Sequence, residues 1–433
     1  AGFGRFQTLV TYAAIVTVLI DLGFNSLYPR EAARRPAEAG RYLGNLITLR
    51  LGMAVIAFGV FAAVLTVPQL EYLLIPGFLL MLAQSFSGLL RQTFYARQRV
   101  GYEAVAIVLE GVILLVLTLI GISANAGVTY FVWAYAIQWT LSCAYALTVL
   151  ALTRMVKLQL RFEPQLLRTW LRASLPFAMT FVITTLYFKS DVPILRQFRP
   201  YAEVGWYTAA YKPFEALLFV PVSMLNVVYP ILAIYHREAP DRLLLGLQRF
   251  YKLLLLVGWP LTVGMVVLAP GLAKLVAYPQ SEPALAILGV GVVLMFVNNT
   301  FIAALNSIDR QLSFTWASVI SMVFNISLNL LVIPIWGYLG ASWSTVLTET
   351  VLLVCGWWLT RRYLGGLPFF QLSWRVVVAG LVMGLALIPF RGVEHAGVVA
   401  VVGLGAAVYG IAVLLIRALD AGELELLRRA ARR

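Results

Sequence analysis

Acidic residues, histidine and cysteine are all scarce in this chain. Its 433 residues hold 19 Asp+Glu, two His and two Cys. Cys143 and Cys355 both fall inside apolar runs, where they read as small helix residues and carry no information about redox compartment. His236 falls in a basic connection and His395 at the edge of an apolar run, neither beside a metal-ligand partner. There is no zinc-ligand spacing, no phosphate-cradling glycine loop and no Gly-x-Ser-x-Gly turn, so no metal and no cofactor are expected. Charge of either sign is missing from residues 111–153. That run is too long for one membrane span of about 20 residues. It calls for two helices with a tight turn near Ser123–Gly127.

What is abundant is apolar surface and positive charge. The composition is 61% hydrophobic with a mean hydropathy of +0.87, against roughly 45–50% in soluble domains. Of 33 Lys+Arg, 25 lie in seven connections: 28–41, 91–101, 153–172, 235–252, 307–312, 361–375 and the tail from Arg417. The intervening connections hold six, Arg5, Lys189, Arg196, Arg199, Lys274 and Arg391. This alternation is the positive-inside pattern of a polytopic membrane protein. The net charge of +14 therefore meets anionic headgroups along cytoplasmic loops, and no nucleic-acid partner is implied.

Hydropathy read between the basic loops predicts thirteen spans, near 3–27, 41–66, 70–95, 101–121, 127–152, 173–197, 203–234, 247–268, 281–306, 312–334, 337–361, 373–390 and 396–417. The fold class is all-α, with the C-terminus in the cytoplasm and Ala1 outside. No signal peptide is recognisable.

An internal repeat organises these spans. Gly4-Arg5-Phe6 lies 25 residues before Pro29 of Tyr28-Pro29, and Gly205-Trp206-Tyr207 lies 25 residues before Pro230 of Tyr229-Pro230. A weaker echo pairs Arg97-Gln98 with Arg310-Gln311. In the second half the repeated helix follows a span at 173–197, so the first half should have a helix before residue 1, giving fourteen in all. Six helices per repeat make the repeats parallel, related by a pseudo-two-fold along the membrane normal. The expected domains are a first lobe at 1–153, a cytoplasmic amphipathic linker at 154–172, a second lobe at 173–361, and two extra helices with a basic tail at 362–433.

Gly2-Phe3-Gly4-Arg5-Phe6, Asp21-Leu22-Gly23-Phe24 and Pro29-Arg30-Glu31-Ala32-Ala33 carry a family resemblance in the first half. Asp191-Val192-Pro193-Ile194-Leu195, then Val204 through Lys212, Pro221 and Tyr229-Pro230 carry it in the second. Together they resemble the multidrug/oligosaccharidyl-lipid/polysaccharide exporter superfamily, and within it the Wzx-type polysaccharide (O-antigen) flippases. The resemblance implies an inner-membrane transporter, acting as a monomer. It would move an undecaprenyl-diphosphate-linked oligosaccharide to the outer leaflet by alternating access, with proton or sodium coupling.

A diphosphate crossing a bilayer needs compensating cations. Arg50 and Lys212 are the two that lie inside apolar runs, each nine residues past a charged span end, so roughly 13 Å deep at about 1.5 Å per residue. A charge at that depth costs at least about 2.5–3.5 kcal/mol and so faces a cavity or a partner. Both are substrate-binding candidates, as are Lys189 and Arg5 nearer the outer mouth. For Lys212, Glu215 at i+3 offers a plain salt bridge. Glu110, Glu349, Glu215 and Asp191 are the ion-coupling candidates. Each could equally neutralise a buried cation.

Three other readings use the same features. A multidrug or cation exporter would share the repeat but usually has twelve helices. A lipid II flippase shares everything so far described. A membrane glycan ligase or polymerase would need a large outer loop with catalytic residues, whereas the longest outer connection here, near Ala269–Gln280, holds no acid and no His.

Overall fold

The computed structural model describes residues 1–67, 69–394 and 396–419. His395 and most of the basic tail lie outside the described residues. Among those described, every regular element is a helix. They are α1 Gly2–Asp21, α2 Phe24–Arg34, α3 Ala39–Thr66, α4 Leu74–Ala96, α5 Val100–Ser123, α6 Val128–Thr153, α7 Pro164–Lys189, α8 Asp191–Phe198, α9 Tyr201–Leu217, α10 Phe219–Glu238, α11 Pro240–Val267, α12 Ala269–Leu275, α13 Glu282–Ser307, α14 Gln311–Leu364, α15 Phe369–Leu387 and α16 Ala396–Leu415.

Twelve helical segments of the described residues are long and apolar enough to cross a membrane. The longest, α14, has 54 residues and turns at Gly337, whose φ of 56° and ψ of −136° are non-helical. Glycine reaches that backbone region without a Cβ clash. The turn falls where the expected spans 312–334 and 337–361 meet, and its two arms bring the crossing-length segments to thirteen.

Helix surfaces show why this chain belongs in lipid. Only Glu103, Ala106 and Gly121 of α5 are buried, while Val108, Val112, Leu115, Leu119 and Ile120 are each half exposed or more. At about 25 cal/mol per Å², water would not tolerate a face of that size. Hydrocarbon makes it costless, and a helix satisfies its own backbone there.

The chain divides into two compact units, Ala1–Gly205 and Trp206–Arg433. In the first, one core joins Phe6, Leu9, Ile20, Phe61 and Met81. Another joins Phe24, Tyr28, Leu43, Leu89 and Phe94. In the second, Tyr251, Phe301, Val376 and Ala412 cluster where α15 and α16 pack on α11 and α13.

The stretch between the expected lobes differs from a uniform amphipathic linker. Residues 164–172 open α7, and only Arg154–Glu163 lacks regular helix. That short segment is fastened to α3. Arg41 forms a bidentate ion pair with Glu163 and a second pair with Glu38 at 2.8 Å. Asn45 accepts from the Glu163 backbone N–H at 2.7 Å. The Arg41 hydrogen bonds hold the Glu163 carboxyl well down, at about 2.

Candidate functional site

Two charged clusters lie inside the helices of the first unit. The first begins with a break. After α1, Leu22 and Gly23 adopt φ values of 41° and 76°, which ends the helix and starts α2. A Cβ on Gly23 would stand 2.5 Å from the backbone nitrogen of Ala178 in α7, so glycine is required there twice over. The break leaves Asp21 as the last residue of α1, against the negative end of the helix dipole. A cation must compensate it, and Arg50 of α3 does, at 3.0 Å.

The Arg50 guanidinium is fully enclosed, with 0% of the side chain exposed. It donates to Asn25 Oδ1 at 2.9 Å and to Ser85 Oγ at 3.0 Å, and also to the Ser85 carbonyl. Ser85 Oγ donates to Asp21 Oδ1 at 2.6 Å, and Asn25 Nδ2 to Asp21 Oδ2 at 3.1 Å. Only the Arg50 Nε lacks an acceptor. Four helices are thus tied through one ion pair. On its own helix Arg50 has no acid within a turn. Its partner comes from 29 residues upstream.

The second cluster centres on Arg91 of α4. Its guanidinium meets Glu103 at 2.5 and 2.8 Å, and also Glu110. Both acids lie on α5, seven residues apart and so on one face. Glu110 also accepts from Ser142 Oγ of α6 at 2.5 Å, and Ser142 meets Ser87 at 2.8 Å. One guanidinium therefore faces two carboxylates. Arg91 and Glu103 were missed by the sequence reading, which placed Arg91 among cytoplasmic loop cations. The readable signal was the Glu103–Glu110 spacing, which puts two acids on one face of an otherwise apolar helix and demands a cation.

The other candidates are scattered. Arg5 is exposed and stacks over the Tyr201 ring at 5.4 Å, beside Arg196 at 4.2 Å. Lys189 ends α7, and Asp191, buried, begins α8 two residues later. Lys212 pairs with Glu215 at 2.9 Å, with 48% of the lysine side chain exposed. Glu349 is buried and accepts from Asn298 Nδ2 at 2.7 Å. Around it Asn325 donates to Thr348 at 3.1 Å and Asn329 to Asn325 at 3.0 Å.

The second unit also carries an apolar groove of about 630 Å³. Its walls include Ala216, Leu261, Leu268, Met383 and Val402, and its one side-chain hydroxyl, from Tyr409, is spent on the Leu256 carbonyl at 2.9 Å. Lys212, Ala216 and Phe219 share the exposed face of α9 and the start of α10. The half-exposed lysine therefore stands one turn from the groove wall.

These features define a polytopic α-helical membrane protein that holds compensated charges within its helices. The chain belongs to the polysaccharide biosynthesis protein family, whose model matches residues 1–236, within the multidrug/oligosaccharidyl-lipid/polysaccharide exporter superfamily. A second model, lipid II flippase MurJ, matches residues 207–402. Among solved structures, the chain is similar to lipid II flippase MurJ in an inward closed conformation, with TM-score 0.73 and 13% identity over 96% of this chain and 97% of that one. It is also similar to an inward-facing multidrug resistance transporter of the MATE family, with TM-score 0.68 and 17% identity over 83% and 89%. No curated protein matches the sequence.

Proposed function

We propose that this protein is a flippase, not an enzyme, of a bacterial cytoplasmic membrane, carrying an undecaprenyl-diphosphate-linked oligosaccharide from the inner to the outer leaflet by alternating access of two repeated lobes. The observation that carries this reading is Lys212 beside the apolar groove. A lipid-linked glycan has an anionic diphosphate and a long hydrocarbon chain, and it needs a cation next to an apolar trough. Lys212 offers the charge and Ala216, one turn on, opens the trough. Glu215 holds the lysine when no substrate competes. In the first unit, Arg5 and Lys189 are the substrate-binding candidates. Arg50, fully enclosed, positions α1 to α4 and does not itself touch the diphosphate.

Energy coupling is assigned to Glu110. With Glu103 it gives the buried cluster one carboxylate more than Arg91 can balance. A buried unpaired charge is costly, so a proton or sodium ion completes the cluster. Glu349, with its amide and hydroxyl neighbours, is the corresponding candidate in the second unit, and Asp191 and Glu215 come after it.

The match of the second half to lipid II flippases favours one other reading, in which the cargo is lipid II. The test is a reconstituted flipping assay on the purified full chain, with an undecaprenyl-diphosphate-linked oligosaccharide in one arm and lipid II in the other, with and without an imposed proton or sodium gradient. Faster oligosaccharide flipping supports the proposal. Flipping of lipid II alone replaces it with the second reading.

A further inference from the structure

Three arginines at one end of α14 are held in a way that the transport reading does not use. Because α14 folds back at Gly337, Arg310, the residue just before it, and its last turn come together. Arg310 lies 4.9 Å over the ring of Tyr363, and Arg362 lies 6.0 Å over the same ring. Arg362 also covers Trp358 at 5.5 Å, and Arg361 covers Trp357 at 5.5 Å. Three arginines of the first two basic connections are instead spent on acceptors of the protein itself. Arg34 pairs with Glu31, Arg41 with Glu38 and Glu163, and Arg97 donates to the Pro36 carbonyl. Among the described residues, no carboxylate or carbonyl takes a hydrogen bond from Arg310, Arg361 or Arg362.

The geometry matters chemically. A guanidinium stacked on an aromatic ring uses its π face and keeps its in-plane N–H donors for a bidentate oxyanion. Stacking also fixes the side chain before any ligand arrives, which reduces the ordering cost of binding. Two such groups share one ring, Arg310 at 4.9 Å and Arg362 at 6.0 Å from its centroid, so an anion at that ring is drawn by two cations. The ligand must also be greasy. Trp357 and Trp358 are 37% and 54% exposed, and Val354, one turn along the helix, is 53% exposed. The Lys/Arg distribution places this end at the cytoplasmic leaflet, where anionic lipid is attracted to basic residues.

We infer that Arg310, Arg361 and Arg362, stacked on Trp357, Trp358 and Tyr363, form a binding site for the headgroup phosphate of an anionic phospholipid in the cytoplasmic leaflet. The acyl chains lie along Trp358 and Val354. A zwitterionic choline headgroup brings its own cation toward three arginines and is disfavoured.

Native mass spectrometry of the detergent-purified full chain tests this, with phosphatidylglycerol and phosphatidylcholine titrated in parallel. The expected result is a phosphatidylglycerol adduct favoured over phosphatidylcholine by about tenfold, on the scale that juxtamembrane cations supply. Arg310→Gln with Arg362→Gln should reduce that preference to near unity, while Arg237→Gln, an exposed arginine on α10, leaves it intact. Should the double variant fold poorly, Arg310→Lys with Arg362→Lys keeps the charge, loses the flat fork, and should show a preference lowered from wild type but above that of the glutamine pair. Retention of the preference in both double variants overturns the site. Displacement of the lipid by inorganic phosphate in modest excess also overturns it, since a free anion would then suffice. Equal or tighter binding of undecaprenyl diphosphate in competition would make this a cargo site and overturn it too. That outcome is independent of whether the flipping assay succeeds.

Discussion

Asp21 and Arg50 meet at 3.0 Å, one at the end of α1 and the other three turns inside α3. Both are buried, and Ser85 and Asn25 complete the contact. Removing one partner of a buried pair strands the other charge, at about 3–5 kcal/mol. Asp21→Asn and Arg50→Ala should each lower stability by that order in detergent unfolding. The double variant should cost less than the sum, by about 0.5–3 kcal/mol of coupling. Additive losses would mean that the two side chains act separately. The same reasoning places Arg50→Lys between wild type and Arg50→Ala, since it keeps the charge and loses the fork of donors.

The helices were legible because apolar runs of membrane length leave few alternatives. Even the turn in α14 was marked by Pro334 and Gly337 between two apolar segments. The break at Leu22–Gly23 was not. Hydropathy runs straight through it, and a break is set by backbone dihedrals and by what packs against them, here Ala178 on Gly23. The sites were less legible still. Arg50 was identified by depth, but depth says nothing about a partner 29 residues away in sequence. Arg91 sits near a span end, where a cation can face water equally well. Only the arrival of α5, with Glu103 and Glu110 on one face, makes it a buried hub.

Glu163 ties the non-helical segment 154–163 to Arg41, whose hydrogen bonds hold its carboxyl down to about 2, below the ordinary 4.5 of a glutamate. A depressed acid stabilises the folded state above its unfolded value and loses that contribution as pH falls through the folded value. The fastening should therefore hold above about pH 4.5 and loosen between there and about pH 2. Hydrogen exchange of residues 154–163 across that range reads it directly. In Glu163→Gln the segment should exchange faster at neutral pH and lose the acid-dependent step.

Substituting Gly23 should fail for backbone reasons. At φ 76°, with a Cβ 2.5 Å from the Ala178 nitrogen, Gly23→Ala combines a left-handed conformation with a clash. Such strain costs on the order of 1–3 kcal/mol from the dihedral alone. The lower melting temperature should accompany reduced flipping, because Asp21 and Asn25 flank the break and lose their register with Arg50. Gly52→Ala is the control. A Cβ at that position meets nothing within 4 Å, so it should be neutral or slightly stabilising.

Substituting Glu110 tests the proposed coupling apart from carriage. If its charge is the one relieved by an ion, Glu110→Gln makes the cluster permanently balanced, with Arg91 facing Glu103 alone. The amide still accepts from Ser142, so the fold should be kept, and a melting curve checks that. Flipping down a cargo gradient should continue near the wild-type rate, while the acceleration by an imposed ion gradient should disappear. Glu103→Gln provides the comparison. It removes the more buried acid, whose two hydrogen bonds to Arg91 measure 2.5 and 2.8 Å, and should cost stability by about 1–3 kcal/mol for the disrupted buried pair. The Arg91–Glu110 pair that remains is charge-balanced, so coupling should be lost in that variant as well. Ser142→Ala takes away only a neutral donor and should leave coupling in place. Undiminished ion-driven flipping in Glu110→Gln would move the coupling site out of this cluster, with Glu349 the next group to substitute.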